Sequence, residues 1–325
     1  MIGWYVHHQG RGHLHRAMAV GAELDEPVTV LSSLDPPAGH AGDWVRLDRD
    51  DHGGGEPSAG GRMHWAPLGQ DGLRRRMHQV SHWIERERPR LLVADVSVEV
   101  ALLARLHGVP VVSVLVPGRR DDVAHRLGFD VSERLVATWP AAATGALLPG
   151  LDQAVLTRVR AVGGLSRFPV ALGRARRPGP PRVLVLGGAG DEGWDPALLA
   201  RAVGSAPDWE WLVCGPPGPW CAEPHQLVLD ADVVVTHAGQ NALAEVAAAR
   251  RPAVVVPRPR PHDEQHVTAA ALREGGWPAL VEQDLPTGGW RERLHRASTL
   301  DGAGWAGWCD GGAARRFAQV LAEAA

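Results

Sequence analysis

The chain contains no lysine; all 34 of its basic residues are arginine. A catalytic lysine is therefore excluded. Asparagine occurs once, at Asn241. The three cysteines, Cys214, Cys221 and Cys309, include no CxxC pair, which argues against a disulfide framework or a cysteine zinc site. No apolar run approaches the ~18 residues that mark a membrane-spanning helix. Residues 1–20 lack the basic and continuous apolar segments of a secretory signal. The expectation is a cytoplasmic protein, with room left for peripheral membrane contact. A net charge of −3 gives no basic excess of the kind a nucleic-acid partner calls for.

What is present fits a soluble two-domain protein: 325 residues, 45% apolar and 22% charged, against a usual domain of ~150 residues. Apolar runs at 2–7, 28–31, 90–95 and 110–116 read as strands. Helical patterns at 13–24, 74–88 and 98–107 lie between them. After a Pro- and Arg-rich stretch the alternation restarts, with strands at 182–187, 209–214, 233–236 and 253–257. Helices follow at 196–203, 240–249 and 262–274. Such alternation predicts parallel sheets with crossover helices. The fold class is α/β, with two Rossmann-like domains facing a cleft: 1–165, a linker at 166–181, and 182–310. A final amphipathic helix in 311–325 is expected to cross back to the first domain. The Gly-rich loop 48–61 is either a disordered insertion or a lid on the acceptor side.

The second half carries two Gly-turn junctions. Strand 182–187 runs into Gly188 and Gly190, whose backbone could approach an anion closely; a purely structural turn explains this one equally well. The segment Thr236-His237-Ala238-Gly239-Gln240-Asn241 is more specific. It reads as a strand end, a tight turn and a helix start, with the positive helix end aimed into the crevice. Asn241 and Glu245 are four apart and share a helix face. A carboxylate there can accept from both hydroxyls of a ribose, while His237 can donate to a diphosphate.

His-x-Gly-x-Asn with Glu eight residues after the His, followed by Pro252 through Gln265, resembles the donor-binding signature of the GT-B glycosyltransferases. That group includes UDP-dependent sugar transferases and the N-acetylglucosaminyltransferase that forms lipid II. The resemblance implies that His237 contacts the diphosphate with Gly239, Gln240 and Asn241 beside it. Glu245 would hold the ribose, and Glu264 and Gln265 the sugar hydroxyls, with Asp263 replacing Glu264 if the turn is shifted by one. Trp220 would pack against the base.

In the first half, strand 2–7 enters the turn Gly10-Arg11-Gly12-His13. Gly12 opens the helix start, so His13 emerges at the cleft. A histidine suits a general base near neutral pH and needs a carboxylate to orient it. Asp95 ends a parallel strand on the same sheet edge, although it could equally cap the helix that follows. The resemblance agrees, since such transferases draw their base from a Gly-x-Gly-His turn and orient it with an Asp. His8 and Arg16 could line the cleft. His7, His8, His13 and His15 suggest no metal site, because neighbours on a strand point to opposite faces. The expectation is thus an inverting transferase using His13 and Asp95, without cofactor or metal. Its donor would be a nucleotide-sugar, UDP-linked because a ribose offers Glu245 two hydroxyls, and its acceptor is unnamed. The alternatives are a nucleotide-sugar hydrolase or, more remotely, an epimerase of the same fold, or an inactive donor-binding partner protein.

Overall fold

The computed structural model describes residues 1–51, 55–171, 173, 178–187 and 193–324. Strands β1 (Ile2–Val6), β2 (Val28–Ser32), β3 (Trp44–Arg46), β4 (Leu91–Asp95), β5 (Val111–Leu115), β6 (Arg134–Ala137) and β7 (Val159–Ala161) form one sheet, in the order β3-β2-β1-β4-β5-β6-β7. Strands β8 (Arg182–Leu186), β9 (Glu210–Cys214), β10 (Val233–Thr236), β11 (Ala253–Val255) and β12 (Ala279–Val281) form the other, ordered β12-β11-β10-β8-β9. Every pairing is parallel. All residues of β1, β4 and β5 are buried, as expected of strands covered by helices on both faces.

The helices are α1 (Gly12–Gly21), α2 (Asp71–Glu87), α3 (Val98–Leu106), α4 (Val123–Asp130), α5 (Thr144–Leu147), α6 (Gln153–Leu156), α7 (Pro196–Ser205), α8 (His225–Asp230), α9 (Gln240–Ala248), α10 (Glu264–Glu274), α11 (Trp290–Ser298) and α12 (Ala313–Ala322). In each sheet the strand order reverses beside the first strand, β1 or β8. These are switch points, where crevices open at the carboxyl ends of strands. Both parallel sheets anticipated from the alternation are present.

Two features join the halves. Leu115, Trp139 and Leu147 from the first half share one buried cluster with Leu184, Leu243 and Leu272 from the second. Helix α12 crosses back as expected. Its Phe317 and Leu321 pack with Trp4 and Leu14, and the Trp4 and Phe317 rings lie 5.4 Å apart. No helix among the described residues is long and apolar enough to cross a membrane.

Candidate functional site

The register of the first sheet pairs Val6 with Asp95. The loop leaving β1 therefore passes beside the carboxylate that ends β4. His13, in the first turn of α1, places Nδ1 2.8 Å from Asp95 Oδ1. Arg16, one turn on, donates from Nη1 to the same oxygen at 2.6 Å. Burial pushes the Asp95 carboxyl up, but the Arg16 and His13 charges and hydrogen bonds more than offset it, so its pKa is lowered. Asp95 is fully buried and its Oδ2 has no hydrogen-bond partner among the described residues. Behind it the chain turns sharply: Val96 N–H donates to the Ala94 carbonyl at 3.1 Å, and Val96 takes a φ of 67°. A β-branched residue in that region is strained, and the strain lies next to the carboxylate hydrogen-bonded to His13. The Asp95 capping alternative does not hold, because Ser97 caps α3 instead.

One detail corrects the sequence reading. His7 and His8 do not point to opposite faces; their rings stack 4.8 Å apart at 17°. Strand β1 ends at Val6, so strand alternation does not reach them. Burial, reinforced by His13 and His8, pushes His7 down to about 3.

In the second half, β10 delivers His237 to the sheet edge, where its Nδ1 lies 3.1 Å from the Val256 carbonyl. Trp194 stacks on the His237 ring at 4.5 Å and 20°, and the Arg258 guanidinium lies 5.5 Å from the Trp194 ring centre. Helix α9 follows with Gly239 at its N-cap and no side-chain cap. Gln240 Nε2 is buried and has no hydrogen-bond partner among the described residues. Helix α1 also lacks a side-chain cap, and neither helix has an acidic residue in its first turn. The two uncapped ends meet: a Cβ built on Gly12 would lie 1.9 Å from Asn241 Nδ2. Two sets of unpaired backbone N–H groups and two positive dipole ends thus converge where an anion would sit.

Glu245 is buried on α9. Burial raises its pKa, while Arg167, which donates from Nε to Oε1 at 2.8 Å, pulls it back in part. Burial likewise raises the Glu264 pKa, opposed by Arg120, His13, Arg260 and Arg16, so Glu264 senses the His13 side of the cleft. Asp263 is more exposed and pairs with Arg119 at 3.5 Å. Gln265 departs from the expectation: its Oε1 accepts from Arg258 N–H at 2.9 Å, so that oxygen braces backbone instead of reaching for a sugar. Trp220 is 55% exposed. Gly188 and Gly190 lie outside the described residues, as do positions 52–54 of the loop 48–61. The remainder of that loop is tied down in part: Asp50 pairs with Arg76 at 3.0 Å, and its carbonyl accepts from Trp65 Nε1 at 2.6 Å.

The sequence reading missed Trp194 and Arg167 and gave Arg16 no partner. Arginine and tryptophan recur so often here that no local spacing singles these out. A small cavity lined by Val96, Val98, Val116 and Phe129 lies behind Asp95; at about 30 Å³ it has room for about one water, not for an acceptor.

Residues 221–289 match the model of the glycosyltransferase family 28 C-terminal domain. That span contains His237–Glu245 and Asp263–Gln265. No curated protein matches the chain. Among solved structures, the kitacinnamycin glycotransferase superposes with a TM-score of 0.69 at 18% identity, covering 99% of this chain and 98% of its own. MurG of Acinetobacter baumannii gives 0.66 at 16% identity, with 99% of both chains covered. A rice (O. sativa) protein solved in complex with UDP gives 0.65 at 14% identity over 100% of both. At such identities the likeness is one of fold, and the fold is GT-B. The resemblance read from the sequence motifs holds: both comparisons lead to GT-B glycosyltransferases.

Proposed function

We propose that this GT-B protein is an inverting glycosyltransferase that moves a sugar from a UDP-linked donor to an acceptor hydroxyl, with His13 as base and Asp95 orienting it. The observation that carries the reading is the His13–Asp95 hydrogen bond of 2.8 Å, set where the two uncapped helix ends meet. With Nδ1–H donated to Asp95, His13 offers its Nε2 lone pair to the cleft. The acceptor O–H proton passes to Nε2 as the oxygen bonds to the anomeric carbon. The bond from that carbon to the diphosphate oxygen breaks, and UDP leaves with the electron pair. Attack from the face opposite the leaving group inverts the anomeric centre. Asp95, held ionised by Arg16, stabilises the imidazolium.

The growing charge on the diphosphate is met by the α1 and α9 amides, with Gln240 Nε2 and Asn241 beside them. A His237 whose Nδ1–H is given to Val256 donates to phosphate only as the doubly protonated ring. Glu245 takes the ribose hydroxyls alongside Arg167, and Glu264 takes a sugar hydroxyl. The UDP assignment is supported by Glu245 and by the UDP-bound rice structure of the same fold. No metal enters this scheme.

The test is UDP release from a panel of UDP-sugars, with and without candidate acceptors. Acceptor-dependent release supports transfer. Fast release into water alone would mean a hydrolase, and donor binding without turnover under any acceptor would mean an inactive donor-binding protein.

A further inference from the structure

A second group of histidines lies apart from His13. One ring nitrogen from each of His64, His125 and His262 lies within 4.8 Å of those of the other two. His64 precedes α2, His125 sits on α4, and His262 belongs to the turn that opens α10, so the group spans both halves of the molecule. His64 Nε2 is 3.0 Å from His125 Nδ1. The Asp122 carboxylate borders all three rings: 2.5 Å from His125 Nδ1, and 3.9 Å from both His64 Nε2 and His262 Nδ1.

Donor atoms around a tetrahedral zinc with bonds of ~2.0–2.1 Å stand about 3.3–3.4 Å apart, and the observed separations bracket that figure. The hydrogen-bond count points the same way. Arg120 Nη1, 2.8 Å from His125 Nε2, is a donor, which assigns the His125 proton to Nδ1. That one hydrogen then faces the Asp122 carboxylate and the His64 Nε2 atom together. The His64 Nε2 lone pair and the Asp122 carboxylate converging on that one proton are what a cation relieves. His262 is held in place by backbone, since its carbonyl accepts from Arg119 N–H at 2.8 Å across the gap between the halves.

We propose that His64, His125 and His262, with Asp122 as the neighbouring carboxylate, form a zinc site that fastens the two halves together at the flank of the cleft. Metal on His125 Nδ1 moves that ring's proton to Nε2, where it meets the Arg120 donor. Arg120 then has to swing away, and Glu264, 3.8 Å from its Nη2, is the carboxylate within reach. Occupancy of the site would thereby tighten the partner of the sugar-side acid without placing metal in the reaction. The histidines come from positions 64, 125 and 262, so no sequence spacing reveals them.

The experiment strips the full chain with a chelator, then titrates it with zinc chloride by calorimetry and with cobalt(II) by visible absorption. The expected result is one equivalent per chain, with the intense bands of tetrahedral cobalt. His262→Ala and His64→Ala should each weaken binding at least tenfold, while His266→Ala, exposed on the next turn of α10, should bind as the parent does. His262 lies on an exposed turn, so its variant should retain the parent circular-dichroism spectrum. No binding by the parent overturns the proposal, as does affinity unchanged in His262→Ala or equally lost in His266→Ala.

Discussion

Asp95 holds two hydrogen-bond partners, His13 and Arg16, on one oxygen, and that arrangement divides the work at residue scale. In the proposed scheme Arg16 keeps the carboxylate ionised while His13 offers Nε2 to the acceptor. Substituting His13→Ala should lower turnover by about 10²–10⁴, the usual worth of a positioned base, and leave UDP affinity within about twofold by calorimetry. A matching loss of affinity would place His13 on the donor instead. Glu264 allows a test by pH. Its folded pKa is raised by burial above the ordinary 4.5, so the protonated form is the one favoured in the fold. Its contribution is fully present below pH 4.5 and is lost as pH rises through the folded value. Glu264→Gln should therefore raise the melting temperature at pH 8 relative to the parent and change it little at pH 4, while reducing sugar transfer. Asp95 runs the other way: its lowered pKa makes its contribution present above the ordinary 3.8 and lost as pH falls through the folded value.

At the scale of elements, the starts of α1 and α9 come into close contact. Gly12→Ala would drive a methyl group into the Asn241 amide, since the Cβ position lies 1.9 Å from Nδ2. The Asn241 amide must then turn away from its place beside the helix ends, and the expected outcome is a severalfold rise in donor KM with the fold intact by circular dichroism. Both helices were legible in the sequence because each follows a continuous apolar strand through a Gly turn, a pattern written within about fifteen residues. The pairing of His13 with Asp95 was legible too, since parallel strands bring their carboxyl ends to one edge. Other elements were not. Strands β3, β7 and β12 have three residues each, too few to show a period of two. Helix α11 is dominated by charge, and only Trp290, Leu294 and Ala297 mark its buried face. The partners Trp194, Arg120 and Arg167 come from distant loops, so packing alone selects them from many like residues.

Across the whole molecule the halves are less separate than a linker suggests. Leu147 is fully buried in the cluster shared by both sheets. Leu147→Ala should cost about 2–5 kcal/mol, and denaturant should unfold parent and variant in a single transition; two separated transitions would show the halves to be independent. The contact between Gly12 and Asn241 has a consequence for the order of events. With the Asn241 amide lying against Gly12, seating a diphosphate there calls for the two halves to part first. Closure then completes the acceptor side around a nucleotide already in place. The kinetics should accordingly follow a compulsory sequence, donor first and UDP last to depart, with UDP a competitive inhibitor against the donor and a noncompetitive one against the acceptor.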